Sequence, residues 1–111
     1  MRNSVLLAML LAGLCGCRTM NPQERRGAEA IARYGCGSCH TIPGIDRANG
    51  QVGPPLGGIA KRMYAAGVLL NTPDNLARWV QKPSSIKQTV MPDLGVTPNE
   101  ASDIASFLLR K

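Results

Sequence analysis

The stretch Gly35-Cys36-Gly37-Ser38-Cys39-His40 decides how the rest of this chain is read. Two cysteines three residues apart, with a histidine directly after the second, form the pattern of c-type haem attachment. Its physics is local. Two thiols at the end of a helix can each add across a vinyl group of one porphyrin, and the adjacent imidazole then falls under the iron as an axial ligand. Covalent attachment also keeps a redox cofactor in a domain too small to enclose it. A thioredoxin-like cysteine pair would need a strand–helix–strand context that the flanking sequence lacks. A zinc site would need a fourth ligand beside Cys36, Cys39 and His40, and His40 is the chain's only histidine.

Upstream of the motif, Asn21-Pro22 offers a cap and a first-turn proline, and the run to Tyr34 places Gly27, Ile31 and Tyr34 on one helical face. Gly35 is placed to end that helix. Downstream, residues 41–57 are rich in Gly and Pro and read as a loop. A second helix is expected from about Gly58 to Leu69, with Ile59, Met63 and Ala66 spaced as a buried stripe. Thr72-Pro73-Asp74 opens a third, which contains Leu76, Trp79 and Val80 and stops at Pro83. Residues 83–96 hold Pro83, Pro92 and Gly95 and read as an extended loop. Thr97-Pro98-Asn99-Glu100 is a capping box opening a last helix on which Ala101, Ile104, Ala105 and Leu108 share a face. No run alternates as a strand does, so the expected fold class is all-α, two terminal helices bracketing a loop-rich middle.

At 111 residues without internal repeats, the chain has room for one core. Its 44% hydrophobic and 18% charged content fits a globular domain rather than a disordered tail. Residues 1–16 are set apart: Arg2 and Asn3 precede the apolar run Val5–Leu14, which is about half the roughly twenty residues a membrane span requires, and this reads as an export signal. Leu14-Cys15-Gly16-Cys17 resembles a bacterial lipobox, which makes Cys17 the expected lipidation site and residues 17–21 a tether to a domain at 22–111. The chain is then exported, either periplasmic or held by lipid on the outer face of a bacterial membrane. With the signal removed, only Cys36 and Cys39 remain in the domain, so disulfide scaffolding is not the theme. The net charge of +6 is spread over Arg25, Arg26, Arg33, Lys61, Arg62, Arg78, Lys82 and Lys87, without the aromatic interleaving of a nucleic-acid groove. Such a surface suits steering of an acidic redox partner.

The sixth iron position separates electron transfer from catalysis. Met20, Met63 and Met91 are the candidates beyond the signal. Met20 lies in the tether and Met63 on the expected apolar stripe. Met91 stands in the proline-punctuated loop Thr89-Val90-Met91-Pro92, from which a side chain can be presented inward, and it is the expected second ligand. With His40 and Met91 as metal ligands, no catalytic residue is expected. A haem enzyme or gas sensor with an open sixth position would need a distal acid–base residue, and there is no second histidine to act as one.

Taken together, these residues resemble a class I cytochrome c. Gly27 before Cys36, the attachment motif, Gly53-Pro54-Pro55-Leu56, Trp79 and a late Met91-Pro92 before the final helix follow that family's pattern over residues 22–111. The chain is more similar still to the cytochrome c domain fused to subunit II of caa-type haem-copper oxidases, in which residues 35–42, 50–56, 71–83, 86–87 and 90–92 have counterparts in the same order. The copper-binding and transmembrane parts of such a subunit have no counterpart here. The resemblance implies crossing of the first and last helices at Gly27, near Ile104 and Phe107. It also implies that the Pro54 carbonyl accepts the proton of the His40 nitrogen that does not bind iron. Arg62 matches the position of an arginine near a haem propionate, and Trp79 would donate its indole N–H to a propionate.

The function these readings support is that of a mono-haem one-electron carrier in a respiratory chain, serving a terminal oxidase. The other redox partners considered are a bc-type complex as donor and a dehydrogenase for which the chain is the electron outlet. No small-molecule substrate is expected.

Overall fold

The computed structural model describes residues 19–111. Three α-helices form the frame, and each starts where a polar cap precedes a proline. α1 runs Pro22–Arg33; the Asn21 side chain accepts from the Glu24 N–H at 2.8 Å while the Glu24 carboxylate reaches back to the Asn21 N–H at 3.3 Å. α2 runs Pro73–Gln81 behind Thr72, whose hydroxyl accepts from the Asn75 N–H at 3.2 Å. α3 runs Pro98–Leu108 behind the Thr97/Glu100 capping box.

α1 crosses α3 at Gly27. A Cβ there would fall 2.0 Å from the Asp103 carbonyl oxygen and 2.9 Å from the Phe107 Cβ, so only glycine permits this approach. Around the crossing, Ala30 and Ile31 of α1 pack with Ala101, Ile104, Ala105 and Phe107 of α3, all buried, and Leu76 and Val80 bring α2 onto the same core. The rim is polar: Arg26 pairs with Asp103 at 3.2 Å and Arg33 with Glu100 at 2.8 Å. At the far end, the Arg110 guanidinium lies 3.6 Å over the Phe107 ring and donates to the Pro43 carbonyl at 3.0 Å, tying the chain's end to the loop after the motif.

The expected helix from Gly58 to Leu69 is not formed. Only Ile59–Lys61 make a 3₁₀ turn, after which Tyr64–Ala65 (β1) pair antiparallel with Leu69–Leu70 (β2), Tyr64 opposite Leu70 and Ala65 opposite Leu69. Ala66 and Gly67 both have positive φ, 53° and 74°, and the Val68 N–H closes the turn on the Ala65 carbonyl at 3.2 Å. A helix would have had to carry Gly67 in its interior, which costs about 1 kcal/mol, and the turn uses that glycine instead. The proposed apolar stripe dissolves accordingly: Ile59 is 6% exposed but Met63 is 72% exposed. This short hairpin adds Ala65 to the core but does not alter the all-α class, because the core is built mainly where α1 and α2 pack on α3.

The export segment 1–16 and the lipidation candidate Cys17 lie outside the described residues. Among those described, no helix is long and apolar enough to cross a membrane.

Candidate cofactor site

α1 delivers the motif. After Tyr34 caps the helix, Gly35 adopts φ 69° and Cys36–Ser38 wind one 3₁₀ turn, with the Cys39 and His40 N–H groups both donating to the Cys36 carbonyl at 3.2 and 3.0 Å. The turn folds the two cysteines into proximity on one short element. Both are free thiols and half-buried. Burial pushes the Cys36 thiol above its ordinary value, so at neutral pH it is the neutral thiol.

His40 is held by the Gly53–Leu56 turn. The Gly53 N–H donates to the Cys39 carbonyl at 2.8 Å and the Leu56 N–H to the Thr41 carbonyl at 2.9 Å, so the turn is stitched to the backbone on both sides of the histidine. Between these stitches, His40 Nδ1 lies 2.7 Å from the Pro54 carbonyl oxygen. A carbonyl can only accept, which makes Nδ1 the protonated nitrogen and leaves the lone pair on Nε2. Gly53 sits against the ring: a Cβ there would come within 2.4 Å of Cε1.

Arg62 joins the same unit, its Nη2 donating to the Pro55 carbonyl at 2.6 Å. Trp79 and Met91 belong to a second unit, α2 and the loop that follows it. Trp79 is half-buried against the core, and Lys87 Nζ stands 5.6 Å from its ring centroid while donating to the Ala66 carbonyl at 2.5 Å. Met91 is half-buried, and its N–H donates to the Thr89 hydroxyl at 3.2 Å. The base of its loop is clasped by Asp93, which accepts from the backbone N–H of Ser84 at 3.1 Å and from its hydroxyl. Those bonds to Ser84 hold the Asp93 carboxyl below its usual range.

Sequence reasoning passed over two features. Asn71, the polar residue between the hairpin and the α2 cap, donates through Nδ2 to the carbonyls of Ile59 at 2.8 Å and Arg62 at 3.0 Å. Its sequence signal is slight: a lone carboxamide after an apolar pair. The second is the cluster at Glu100, whose carboxylate accepts from Thr97, Tyr34 and Arg33 and is pulled down to about 2. The Thr97 bond belongs to the capping box written in the sequence, whereas those from Tyr34 and Arg33 run across the helix crossing and depend on the placement of the helices.

The donor set fits a covalently held haem. Two free thiols stand one 3₁₀ turn apart, followed by an imidazole whose Nε2 carries the available lone pair. Among the described residues, no three His, Cys, Asp or Glu side chains converge as a metal cage, so Cys36, Cys39 and His40 are not arranged around one ion.

The family model for cytochrome c matches residues 24–110. Curated relatives include cytochrome c oxidase subunit 2 of Bacillus sp. (strain PS3), 32% identical over 69 residues, and cytochrome c oxidase subunit 2 of Alkalihalophilus pseudofirmus, 34% identical over 68 residues. Each alignment covers 60% of this chain and 19% of the relative, so the matched region is about a fifth of those proteins' length. No solved structure matches significantly.

Proposed function

Because this chain belongs to the cytochrome c family, we propose that it is a mono-haem one-electron carrier that delivers electrons to a terminal oxidase in a respiratory chain. When bound, the haem supplies a reversible ferric–ferrous couple. The reading is carried by one observation: His40 Nδ1 is committed to the Pro54 carbonyl, so Nε2 is oriented as a ligand directly beside two free thiols.

The residues divide the work. Cys36 and Cys39 hold the porphyrin, and His40 ligates iron while Pro54 fixes its tautomer and basicity. Met91 would supply the second iron ligand, a soft thioether that would favour the ferrous state and leave no position for substrate or dioxygen. Arg62 spends one nitrogen on Pro55 and has others for a propionate, and Trp79 offers its indole N–H to the same group. Exposed cations, Arg25, Lys61, Lys82 and Lys87 among them, steer an acidic partner into a small and short-lived contact. Residues 1–16 act as the export signal, Cys17 carries the lipid, and 17–21 form the tether to a domain at the outer face of the membrane.

Carbon monoxide difference spectroscopy with stopped-flow reduction of a purified oxidase tests this reading. The reduced protein is expected to be low-spin and inert to carbon monoxide, with Met91→Ala becoming reactive. Electron delivery to the oxidase should slow as salt rises. Rapid carbon monoxide binding by the wild type defeats the carrier assignment. Acceptance of electrons from a dehydrogenase without delivery to an oxidase reassigns the partner. Labelled-lipid incorporation with mass analysis of the mature chain decides the role of Cys17.

A further inference from the structure

We propose that Asn71 is a positioning residue for His40, acting through Arg62 and the Pro54-Pro55 turn; the proposal rests on the reading of His40 as a haem ligand. Pro54 and Pro55 form the middle of this turn. Neither has an N–H, so residues 54 and 55 offer two carbonyl acceptors and no backbone donor. Whatever holds the middle of this turn must donate to it from outside. His40 Nδ1 takes the first carbonyl at 2.7 Å and Arg62 Nη2 the second at 2.6 Å. The imidazole and the guanidinium therefore grip adjacent peptide units, and the direction of the Pro54 carbonyl depends on what the arginine does one residue later.

Arg62 is exposed, and a long exposed side chain loses considerable rotamer entropy when it is held in one geometry. Its backbone has to be fixed for that contact to persist. Asn71 does this three times over. One Nδ2 proton goes to the Arg62 carbonyl at 3.0 Å and the other to the Ile59 carbonyl at 2.8 Å, while the Asn71 N–H donates to the Met63 carbonyl at 3.0 Å. The Arg62 N–H also returns to the Ile59 carbonyl at 3.0 Å, so the segment is closed at both ends on the Asn71 carboxamide. Both groups facing Nδ2 are carbonyl oxygens, which settles the orientation of the amide on chemical grounds.

The remaining atom is informative. Asn71 Oδ1 is buried and has no hydrogen-bond partner, which is unfavourable for a polar group. A residue that served only to end the hairpin could turn this oxygen to solvent. Here it is sacrificed so that both Nδ2 protons meet their carbonyls. The path is a series: Asn71 fixes Arg62, Arg62 holds Pro55, and the turn sets the acceptor for His40.

The test uses the haem-loaded full chain and reads the solvent-exchange rate of the His40 Nδ1 proton by NMR, together with the reduction potential. N71A, R62A, their double variant and N21A are compared. N21A removes the α1 cap and controls for a general loss of stability. N71A and R62A are each expected to speed exchange about tenfold, the loss of one net hydrogen bond. The double variant should be no faster than the faster single one, because the two act in series. N71A changes no charge, so its potential should rise as the imidazole loses its Nδ1 acceptor and becomes less electron-rich. N21A should move neither quantity. Exchange in N71A and R62A equal to that in N21A, or effects that multiply in the double variant, overturns the proposal. If N71A does not accumulate, R62A decides alone, and unchanged exchange in it is the refuting result. Failure of the haem reading shows itself separately, as a chain that yields no pyridine haemochrome.

Discussion

The crossing of α1 with α3 and the segment from Arg62 to Val96 are built on opposite plans. At the crossing both helices carry capping boxes, the backbones meet at a glycine, and the side chains between them are buried. In the segment, Ala65, Leu76, Val80 and Val96 reach the core, but Met63, Tyr64, Val68, Leu70, Val90 and Leu94 are all exposed, with Val90 at 91%, and the loops are held by single polar ties such as Lys87 on Ala66 and Asp93 on Ser84. The helical frame closes its own core. Those exposed apolar side chains gain free energy only from something packed on them, which is what a large apolar cofactor or a docked partner provides.

The contrast can be broken most directly at its strongest point. Phe107→Ala should cost about 3–5 kcal/mol in denaturant unfolding of the haem protein, whereas Val90→Ala should stay within about 0.5 kcal/mol. Comparable losses at the two positions would show that the frame and the loop share one core. Gly27→Ala comes next: a methyl group that meets the Asp103 carbonyl forces the helices apart, at about 1–3 kcal/mol. A neutral result would mean that the crossing slides freely. Asn21→Ala should remove about 1 kcal/mol by opening the α1 cap, read as a lowered midpoint with an unchanged slope.

The smallest effect concerns acid. Glu100 is depressed in the folded protein to about 2 from 4.5, held by Thr97, Tyr34 and Arg33. A depressed carboxylate contributes stability that is present above its unfolded value and lost as pH falls through the folded one. The stability gap between wild type and Glu100→Gln should therefore narrow between about pH 4.5 and 2. A gap that is constant over that window would sever the carboxylate from the crossing. Since the group is partly exposed, the effect should also shrink in salt.

The attachment motif and the three capped helices were legible from local signals, since adjacent residues, cap boxes and apolar spacing act within a few residues of one another, whereas the meeting of the terminal helices was implied by the family resemblance. The region 58–70 was not. Its spacing of Ile59, Met63 and Ala66 satisfied a helical template, yet Gly67 in a left-handed turn made a hairpin the better local solution. At the cofactor site, the Cys-x-x-Cys-His order was written in the sequence, but the grip on His40 depends on residues brought from fourteen and more positions away. Pro54, Arg62 and Asn71 act there through hydrogen bonds whose partners are mostly backbone carbonyls, and backbone carbonyls carry no sequence signature. Sequence alone determined which atoms could hold a haem, because that is a matter of thiols and an imidazole at fixed spacing. Tertiary structure decided which imidazole nitrogen keeps a free lone pair, because only the folded chain places an acceptor at Nδ1.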